Sequence, residues 1–331
     1  MASVTDIGID FGTSTIAVFV RGKGIILREP ALVAYDTDSD KVRAIGEEAQ
    51  HLVGHTAGNN VAIKPLAQGK ISDFMITERM LKYFVEKAMG RRGILKPRIA
   101  ICVPSGVTEV ERRAVIEATY QAGARDVTIV KEPIAAAIGA ELDVTKPAGN
   151  MVVDVGGGLT DIAVISMCGI VISSSVAVAG DNYTHAIVSY LRNRYGLYIG
   201  EQTAESIKLK LGSVREEYPE NTMTINGRNV MSGLPKTVTI STSDVMEAFQ
   251  KPTKDIVEAV RNLLERTPPD LAGDLQERGI VLAGGGSQVK GLEQALERST
   301  GLHIMTVQNP ENVVAIGTGR YTSVLAEFEN R

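Results

Sequence analysis

One segment near the middle of the chain, Val-Val-Asp-Val-Gly-Gly-Gly-Leu-Thr-Asp-Ile-Ala-Val (152–164), joins two apolar runs through three consecutive glycines. The pattern predicts a β-hairpin, here named the central glycine hairpin. Consecutive glycines carry no Cβ and can take positive φ, so we expect their N–H groups to turn inward around an anion. Asp154 comes just before the turn, where a carboxylate can hold Mg²⁺ or its waters beside a phosphate.

A near copy of this pattern, Ile-Gly-Ile-Asp-Phe-Gly-Thr-Ser-Thr-Ile-Ala-Val (7–18), opens the chain and is named the first glycine hairpin. Its Asp10 occupies the place that Asp154 has in the central copy. Glycine turns are common structural features, but turns that serve structure alone need not repeat together with their aspartates. Two such hairpins, one at the head of each half, predict a nucleotide held between two related domains.

Length and charge limit the classes of protein that fit. The chain has 331 residues, more than one hydrophobic core usually supports, so we expect two domains. A net charge of −4 argues against a nucleic-acid partner. The N-terminus lacks the pattern of a secretion signal, and no apolar run approaches the roughly 18–20 residues that span a bilayer. We therefore expect a soluble, cytosolic protein with reduced thiols, whose membrane contacts are peripheral.

The two halves echo each other beyond the hairpins. A later strand in each half leads into a helix rich in alanine and glycine, after Val130 and after Val307. Small residues on both helices would let them pack closely, as a hinge pair beneath a cleft. A third glycine turn, at 284–287, occurs only in the second half, so we expect it to contact the nucleoside.

Three local signals predict further structure. Thr108 and Glu111 form a capping-box pattern that predicts a helix ending near Gly123. Asn226-Gly227 predicts a hairpin turn within a small inserted subdomain. Pro252 is expected to kink or break the helix in which it lies.

Together these motifs resemble the actin-like ATPase superfamily, and within it the MreB group of bacterial actins, over essentially the whole chain. The matching segments are Asp6-Ile-Gly-Ile-Asp10 with Gly12-Thr13, Lys23-Gly24-Ile25, Glu29-Pro30, Val103-Pro-Ser-Gly106, Glu132-Pro133, Asn150-Met-Val-Val-Asp154, Gly200-Glu201 with Thr203-Ala-Glu205, Ser232-Gly-Leu-Pro-Lys236, Thr267-Pro-Pro269 and Ala315-Ile-Gly-Thr-Gly319.

The resemblance implies an α/β, actin-like (ribonuclease H-like) fold, with two duplicated lobes around a nucleotide cleft and four subdomains. Subdomain IA would comprise residues 1–32, 66–145 and 311–331, and subdomain IB residues 33–65. Subdomain IIA would comprise residues 146–181 and 246–310, and subdomain IIB residues 182–245.

The resemblance also implies that ATP or ADP with Mg²⁺ occupies the cleft. Glu132 and Thr160 take the catalytic positions, with Glu132 orienting or deprotonating the attacking water, and Asp10 and Asp154 organise Mg²⁺, mainly through water. The nucleotide-binding residues would be Asp10, Gly12, Thr13, Ser14, Thr15, Gly156, Gly157, Gly158, Leu159, Glu205, Lys208, Gly284, Gly285, Gly286 and Ser287. With the resemblance set aside, the alternative for Glu132 is a carboxylate that favours a helix N-terminus.

Two departures from the family pattern bear on hydrolysis. Relatives usually have Thr-Thr after the three glycines, whereas this chain has Leu159-Thr160. Leucine cannot hydrogen-bond the attacking water, but its backbone N–H remains, so we expect slow hydrolysis with ATP binding retained. Lys131 also replaces a common glutamate next to Glu132.

The segment Arg-Arg-Gly-Ile-Leu-Lys (91–96) places two bulky apolar residues among cations. An ordinary surface loop would explain it, since single exposed apolar residues are normal. In the MreB group the equivalent loop enters the membrane, and an apolar tip with basic flanks suits anionic lipid, so Ile94 and Leu95 are the predicted membrane contacts.

The resemblance implies a protein that polymerises into paired protofilaments on the inner face of the plasma membrane. There it would meet membrane proteins of the cell-elongation machinery and organise wall synthesis and rod shape. A nearly inactive, nucleotide-bound scaffold is an alternative that Leu159 favours. A small-molecule kinase would need an aspartate base facing a sugar pocket, and a chaperone-type ATPase would need a peptide-binding domain.

Overall fold

A computed structural model describes residues 6–39, 41–52, 60–67, 70–90, 96–215 and 219–329. The strands are β1 (Asp6–Phe11), β2 (Thr15–Val20), β3 (Gly24–Pro30), β4 (Val33–Asp36), β5 (Lys41–Ile45), β6 (Asn60–Ile63), β7 (Leu66–Ala67), β8 (Lys70–Ile71), β9 (Arg98–Val103), β10 (Asp126–Lys131), β11 (Asn150–Val155), β12 (Thr160–Ser166), β13 (Gly169–Val176), β14 (Leu197–Tyr198), β15 (Thr222–Asn229), β16 (Pro235–Ser241), β17 (Ile280–Ala283) and β18 (Ile304–Thr306). The helices are α1 (Glu47–Leu52), α2 (Phe74–Met89), α3 (Glu109–Gln121), α4 (Glu132–Gly139), α5 (Gly180–Tyr195), α6 (Glu201–Leu211), α7 (Thr242–Leu264), α8 (Pro269–Arg278), α9 (Leu292–Thr300) and α10 (Val313–Glu329).

The predicted duplication is present in the sheets. One five-stranded sheet has the order β10-β9-β1-β2-β3, and the other has the order β18-β17-β11-β12-β13. In each sheet the two hairpin strands pair antiparallel with each other. On its other side, the first hairpin strand pairs parallel with β9 in one sheet and with β17 in the other. We name the halves built on these sheets lobe I and lobe II. They confirm the predicted α/β, actin-like fold.

Two three-stranded sheets and the two-stranded sheet of β7 and β8 accompany the large ones. The first three-stranded sheet has the order β5-β4-β6 and the second the order β14-β15-β16. The turn predicted at Asn226-Gly227 is wrong, because both residues lie inside β15, paired with Thr237 and Lys236. The chain reverses instead after Asn229, whose side chain accepts hydrogen bonds from two turn N–H groups.

The hinge pair is formed by α4 and α10. A Cβ on Gly139 would lie 2.8 Å from the carbonyl carbon of Val313, and one on Gly317 would lie 2.8 Å from the backbone nitrogen of Gly139. The helices are therefore in backbone contact. The alanines of α4 and the valines at the start of α10 pack with the inner faces of both sheets in a core that contains Cys102, Val152 and Ala283. Each lobe also has its own larger core, so the lobes are separate packing units joined at the hinge.

The other helix signals gave mixed results. The capping box is confirmed, with the Thr108 side chain accepting from the Glu111 N–H and Glu111 accepting from the Thr108 N–H. A break at Pro252 is wrong, because α7 continues through it. Pro252 and the neighbouring Thr253 are buried, and the Thr253 hydroxyl lies 3.1 Å from that of Tyr183. Packing thus holds the helix together where one backbone hydrogen bond is missing.

Among the helices that the structure describes, none is both long enough and apolar enough to cross a membrane.

Candidate functional site

The inner faces of the two sheets carry the candidate site. In lobe I, Asp10 pairs with Ala17, and Ala17 pairs with Arg28. In lobe II, Asp154 pairs with Asp161, and Asp161 pairs with Ser175. Paired residues on neighbouring strands point to the same face of a sheet. The two hairpin aspartates therefore occupy equivalent positions, and lobe II has a second aspartate where lobe I has alanine.

The two glycine hairpins meet at their turns. A Cβ on Gly158 would lie 2.7 Å from Cγ2 of Thr13, and one on Gly157 would overlap the Ser14 hydroxyl. The central turn does not use the positive φ that glycine permits, since Gly156, Gly157 and Gly158 all keep φ outside the positive range. The absence of Cβ matters here for a different reason. It lets the two turns come into direct contact.

The N-terminus of α5 supports this junction. Asp181 donates its N–H to the Gly157 carbonyl at 2.7 Å and accepts a hydrogen bond from the Ser14 hydroxyl at 3.0 Å. Its second oxygen lies 3.0 Å from Nζ of Lys64, which follows β6. The first hairpin is itself tight, since a Cβ on Gly12 would lie 2.7 Å from the carbonyl oxygen of Thr15, whose side chain is exposed. Sequence analysis missed Lys64 and Asp181, which carry no local motif.

Carboxylates converge below the hairpin turns. Burial, followed by the charges of Asp161, Asp154 and Asp10, raises the pKa of Glu132 well above its usual range. Burial and the charges of Asp10 and Asp161 likewise raise the pKa of Asp154. Burial raises the pKa of Asp10 to about 6, against the opposing effects of a hydrogen bond from Cys102 and the charge of Arg28. These groups repel one another, so the site favours a cation among them.

The donor set fits an ion held partly by water. In the ranges that the structure describes, no three His, Cys, Asp or Glu side chains are grouped so that they could hold a metal ion. Asp10 and Asp154 offer hard carboxylate oxygens, one from each lobe, which suit Mg²⁺. Mg²⁺ usually binds one or two carboxylates and keeps waters and phosphate oxygens as its other ligands.

Asp161 is a site residue that sequence analysis missed. Its side chain is only 1% exposed and accepts hydrogen bonds from the Ser105 N–H at 2.6 Å, the Ser105 hydroxyl and the Ser175 hydroxyl at 2.7 Å. Ser105 follows β9 in lobe I, whereas Ser175 lies on β13 in lobe II. The available signal was an aspartate inside an otherwise apolar strand, since a buried charge requires partners.

The third glycine turn lies directly against the central hairpin. Gly284 has φ of 82°, which only glycine adopts readily, and a Cβ on it would overlap an oxygen of Asp154. Gly285 begins a short 3-10 helix that contains Gly286, and the buried Ser287 donates its hydroxyl to the Gly284 carbonyl at 2.7 Å. The turn is therefore in place to contact a molecule that reaches the central hairpin.

Glu205 and Lys208 lie on α6, facing the start of α5. The Lys208 ammonium contacts the Glu205 carboxylate at 2.7 Å and the Gly180 carbonyl at 3.1 Å. Glu205 also accepts from the Thr184 hydroxyl at 2.7 Å. Because Gly180 donates its N–H to Gly156, Lys208 is linked to the central hairpin through Gly180, and Glu205 is linked to it through Lys208 or Thr184.

The two residues after the central glycines differ in environment. Leu159 is partly exposed, and its carbonyl accepts the Gly156 N–H at 3.0 Å. Thr160 is fully buried, and its hydroxyl donates to the Val178 carbonyl at 2.6 Å. A catalytic role for Thr160 would require its hydroxyl to exchange this hydrogen bond for one with water. The predicted membrane residues, Ile94 and Leu95, lie outside the described residues.

Duplicated α/β lobes of matching strand order, with facing glycine hairpins above a hinge of two helices, define an actin-like protein. The family model described as MreB/Mbl protein matches residues 4–330. The cell shape-determining protein Mbl of Bacillus subtilis is 47% identical over 95% of this chain and 94% of its own length. The cell shape-determining protein MreB of Escherichia coli is 43% identical over 95% of this chain and 92% of its own length.

Solved structures agree with this assignment. MreB 5 of Spiroplasma citri bound to AMPPNP superposes with a TM-score of 0.93 at 33% identity, covering 100% of this chain and 99% of that one. A MamK double helical filament, at 22% identity, has the same fold with a TM-score of 0.81 over 97% of this chain and 99% of its own. The chain belongs to the MreB/Mbl family of bacterial actins.

Proposed function

We propose that this protein is an ATP-binding bacterial actin that polymerises into filaments and helps to determine cell shape. The observation that carries the proposal is the contact between the two glycine hairpins beside Asp10 and Asp154, which offers backbone N–H groups from both lobes to one phosphate chain. Relatives support it, since MreB 5 of Spiroplasma citri has been solved with AMPPNP and with ADP, and Mbl and MreB are named for cell shape.

In this proposal the nucleotide lies between the lobes. The turns at 12–15 and 156–159 bind its phosphates, while Glu205, Lys208 and the third glycine turn line the nucleoside pocket. Asp10 and Asp154 hold Mg²⁺, which when bound would offset the phosphate charge. Glu132 orients or deprotonates the attacking water, a role worth ~10²–10⁴ in rate.

The four-subdomain division stays part of the proposal. IB (33–65) contains the small sheet β5-β4-β6, and IIB (182–245) contains the small sheet β14-β15-β16. IA (1–32, 66–145 and 311–331) and IIA (146–181 and 246–310) are then centred on the two five-stranded sheets. Limited proteolysis with and without nucleotide tests the division, since cleavage should fall first near its boundaries.

We propose slow hydrolysis, because Leu159 offers no side-chain hydrogen bond to water beside the γ-phosphate. Leu159→Thr should raise the rate of phosphate release and leave nucleotide affinity nearly unchanged. Leu159→Val serves as the control, since it shortens the side chain without adding a hydroxyl. Turnover that does not rise in the threonine variant contradicts this explanation. A scaffold in which nucleotide is only structural is the second candidate, and Leu159 is the observation that favours it.

The membrane part of the proposal rests on the sequence at 91–96. Ile94 and Leu95 would contact the inner face of the plasma membrane, where filaments of paired protofilaments meet membrane proteins of the elongation machinery. The variant Ile94→Ser/Leu95→Ser should pellet less with anionic vesicles and equally in their absence. Unchanged vesicle pelleting would remove membrane contact from the proposal.

One experiment tests the core of the function. Phosphate release and sedimentation are measured together with Mg-ATP on lipid vesicles, for wild type and Glu132→Ala. If the protein is a membrane actin whose ATPase depends on Glu132, wild type and Glu132→Ala should both pellet. Only wild type should release phosphate. Pelleting of both forms without phosphate release favours the scaffold, and no pelleting of either form contradicts self-assembly.

A further inference from the structure

Asp161 is a buried charge whose hydrogen-bond donors come from both lobes. A carboxylate removed from water is strongly destabilising unless it is hydrogen-bonded. Two of its donors, the N–H and the hydroxyl of Ser105, belong to the loop after β9 in lobe I. The others, the hydroxyl of Ser175 and the N–H of Ile162, belong to lobe II, and the Ser175 hydroxyl lies 3.1 Å from that of Ser105.

The same loop is connected to the catalytic side of the cleft. β9 contains Cys102, whose thiol donates to Asp10 at 3.3 Å. β9 also pairs with β10, and β10 leads directly into Glu132 at the start of α4. On the lobe II side, Asp161 follows Thr160 in β12, just after the turn of the central glycine hairpin. The Ser105–Asp161 contact therefore joins the strands that carry Glu132 and Asp10 to the hairpin that holds the phosphates.

Close packing makes the contact sensitive to the relative position of the lobes. A Cβ on Gly106 would lie 3.2 Å from the Ser175 hydroxyl, so the loop backbone rests on β13. If the lobes separated, Asp161 would lose both Ser105 donors and keep only those of lobe II, the Ser175 hydroxyl and the Ile162 N–H. Leaving a buried charged group without its hydrogen bonds costs more free energy than forming those bonds contributes to stability. The contact consequently favours one arrangement of the lobes over others.

We propose that Ser105 and Asp161 form an interlobe catch that holds Glu132 in line with the γ-phosphate, which makes Asp161 a positioning residue for hydrolysis. This inference rests on the proposed ATPase function. It adds a role for two residues on opposite lobes that are not among the proposed nucleotide-binding and catalytic residues. Misplacement of a reacting group by about 1 Å can cost up to ~10²-fold in rate, so a loosened catch should slow the chemical step.

The test is single-turnover phosphate release at saturating Mg-ATP, with the nucleotide dissociation constant measured separately. Ser105→Ala removes the hydroxyl that crosses between the lobes and should slow release about tenfold, with the dissociation constant changed less than about threefold. Ser175→Ala is the matched control. It removes a hydroxyl from the same carboxylate within lobe II, and its release should stay within about twofold of wild type.

A double-mutant cycle with Asp161→Asn separates positioning from general destabilisation. If the two residues act through each other, the double variant should be no slower than the slower single variant. Additive losses, or a Ser175→Ala loss equal to that of Ser105→Ala, would overturn the catch. Should Asp161→Asn fail to fold, the comparison of Ser105→Ala with Ser175→Ala decides alone.

Wild type in the same assay distinguishes failure of the proposed ATPase function from failure of the interlobe catch. Wild-type protein that binds nucleotide but releases no phosphate contradicts the proposed ATPase, and the positioning role with it. Wild type that turns over at the same rate as Ser105→Ala overturns the catch alone and leaves the proposed function standing.

Discussion

At the scale of single residues, Glu132 has the environment of a base whose protonation changes with its neighbours. Because burial and three carboxylates raise its pKa, phosphate release should increase as pH rises through that value, since only the ionised carboxylate accepts a proton from water. Asp161→Asn removes one negative neighbour, which lowers the pKa of Glu132. The midpoint of the pH–rate profile should therefore move to lower pH.

This shift is measured as the midpoint of single-turnover release against pH, independently of the maximum rate. Glu111→Gln is a suitable control, because Glu111 lies at the exposed cap of α3 with its own hydrogen bonds to Thr108. An unchanged midpoint, or one at higher pH, in Asp161→Asn would contradict the proposed electrostatic coupling.

The turn between β12 and β13 carries local backbone strain. Met167 and Cys168 have φ of 50° and 57°, the left-handed region that two-residue hairpin turns require and that glycine or asparagine adopts most easily. A non-glycine residue there costs roughly 1–2 kcal/mol. Cys168→Gly should raise the free energy of unfolding by about 1 kcal/mol, as measured by urea denaturation.

Cys168→Ser tests whether the backbone is the cause. Serine removes the thiol but keeps a Cβ in the left-handed region, so its stability should stay near that of wild type. The Cys168 N–H donates to the Val144 carbonyl at 2.8 Å in any variant. Equal stabilisation by serine and glycine would assign the effect to the thiol.

At the scale of elements, the α4–α10 hinge depends on glycine at its crossing point. A Cβ on Gly317 would overlap the Ala135 carbonyl oxygen, so Gly317→Ala must push the helices apart. Overpacking of this kind typically costs 1–3 kcal/mol. We expect Gly317→Ala to lower the free energy of unfolding by about 2 kcal/mol in denaturant titration.

Gly273 provides the matched control, since it lies inside α8 where a Cβ would meet open space. There the same substitution removes only the conformational freedom of glycine and should stabilise by roughly 0.5–1 kcal/mol. Opposite signs at the two positions would establish helix contact as the cause. Two losses of similar size would contradict it.

Local signals predicted elements well where nothing distant competed with them. The capping box at Thr108 formed as expected, because both of its partners lie within one turn. Asn226-Gly227 failed because Gly227 is needed for another purpose: a Cβ there would lie 2.5 Å from the Tyr198 carbonyl oxygen of the neighbouring strand. The dipeptide therefore serves close strand packing, which sequence spacing cannot distinguish from a turn.

At the scale of the whole molecule, duplication was predictable and the contacts between the lobes were not. Repeated hairpins with their aspartates predicted two lobes, and the strand orders of the large sheets match that expectation. The contacts that join the lobes pair single polar residues far apart in the chain, such as Ser105 with Asp161. Such residues follow no periodicity, so only the folded chain reveals them.

One such contact joins the lobes beside the glycine hairpins, at what the proposed function makes the mouth of the nucleotide cleft. Lys64 reaches across to Asp181, which also accepts a hydrogen bond from Ser14 in the first hairpin. The side chains of Lys64 and Asp181 are 40% and 28% exposed, so their ion pair should contribute no more than about 1 kcal/mol. Lys64→Ala should therefore speed nucleotide dissociation by about two- to fivefold, measured by displacement of a fluorescent ATP analogue.

Salt dependence identifies the origin of that effect. An exposed ion pair is screened at high ionic strength, so the difference between Lys64→Ala and wild type should shrink as salt rises towards about 1 M. Lys251→Ala, which removes a similar 2.7 Å pair with Asp255 on α7, should leave dissociation unchanged at every salt concentration. If Lys64→Ala releases nucleotide as slowly as wild type at low salt, the Lys64–Asp181 pair does not hold the lobes together. Nucleotide would then be retained by the hairpins and the hinge alone.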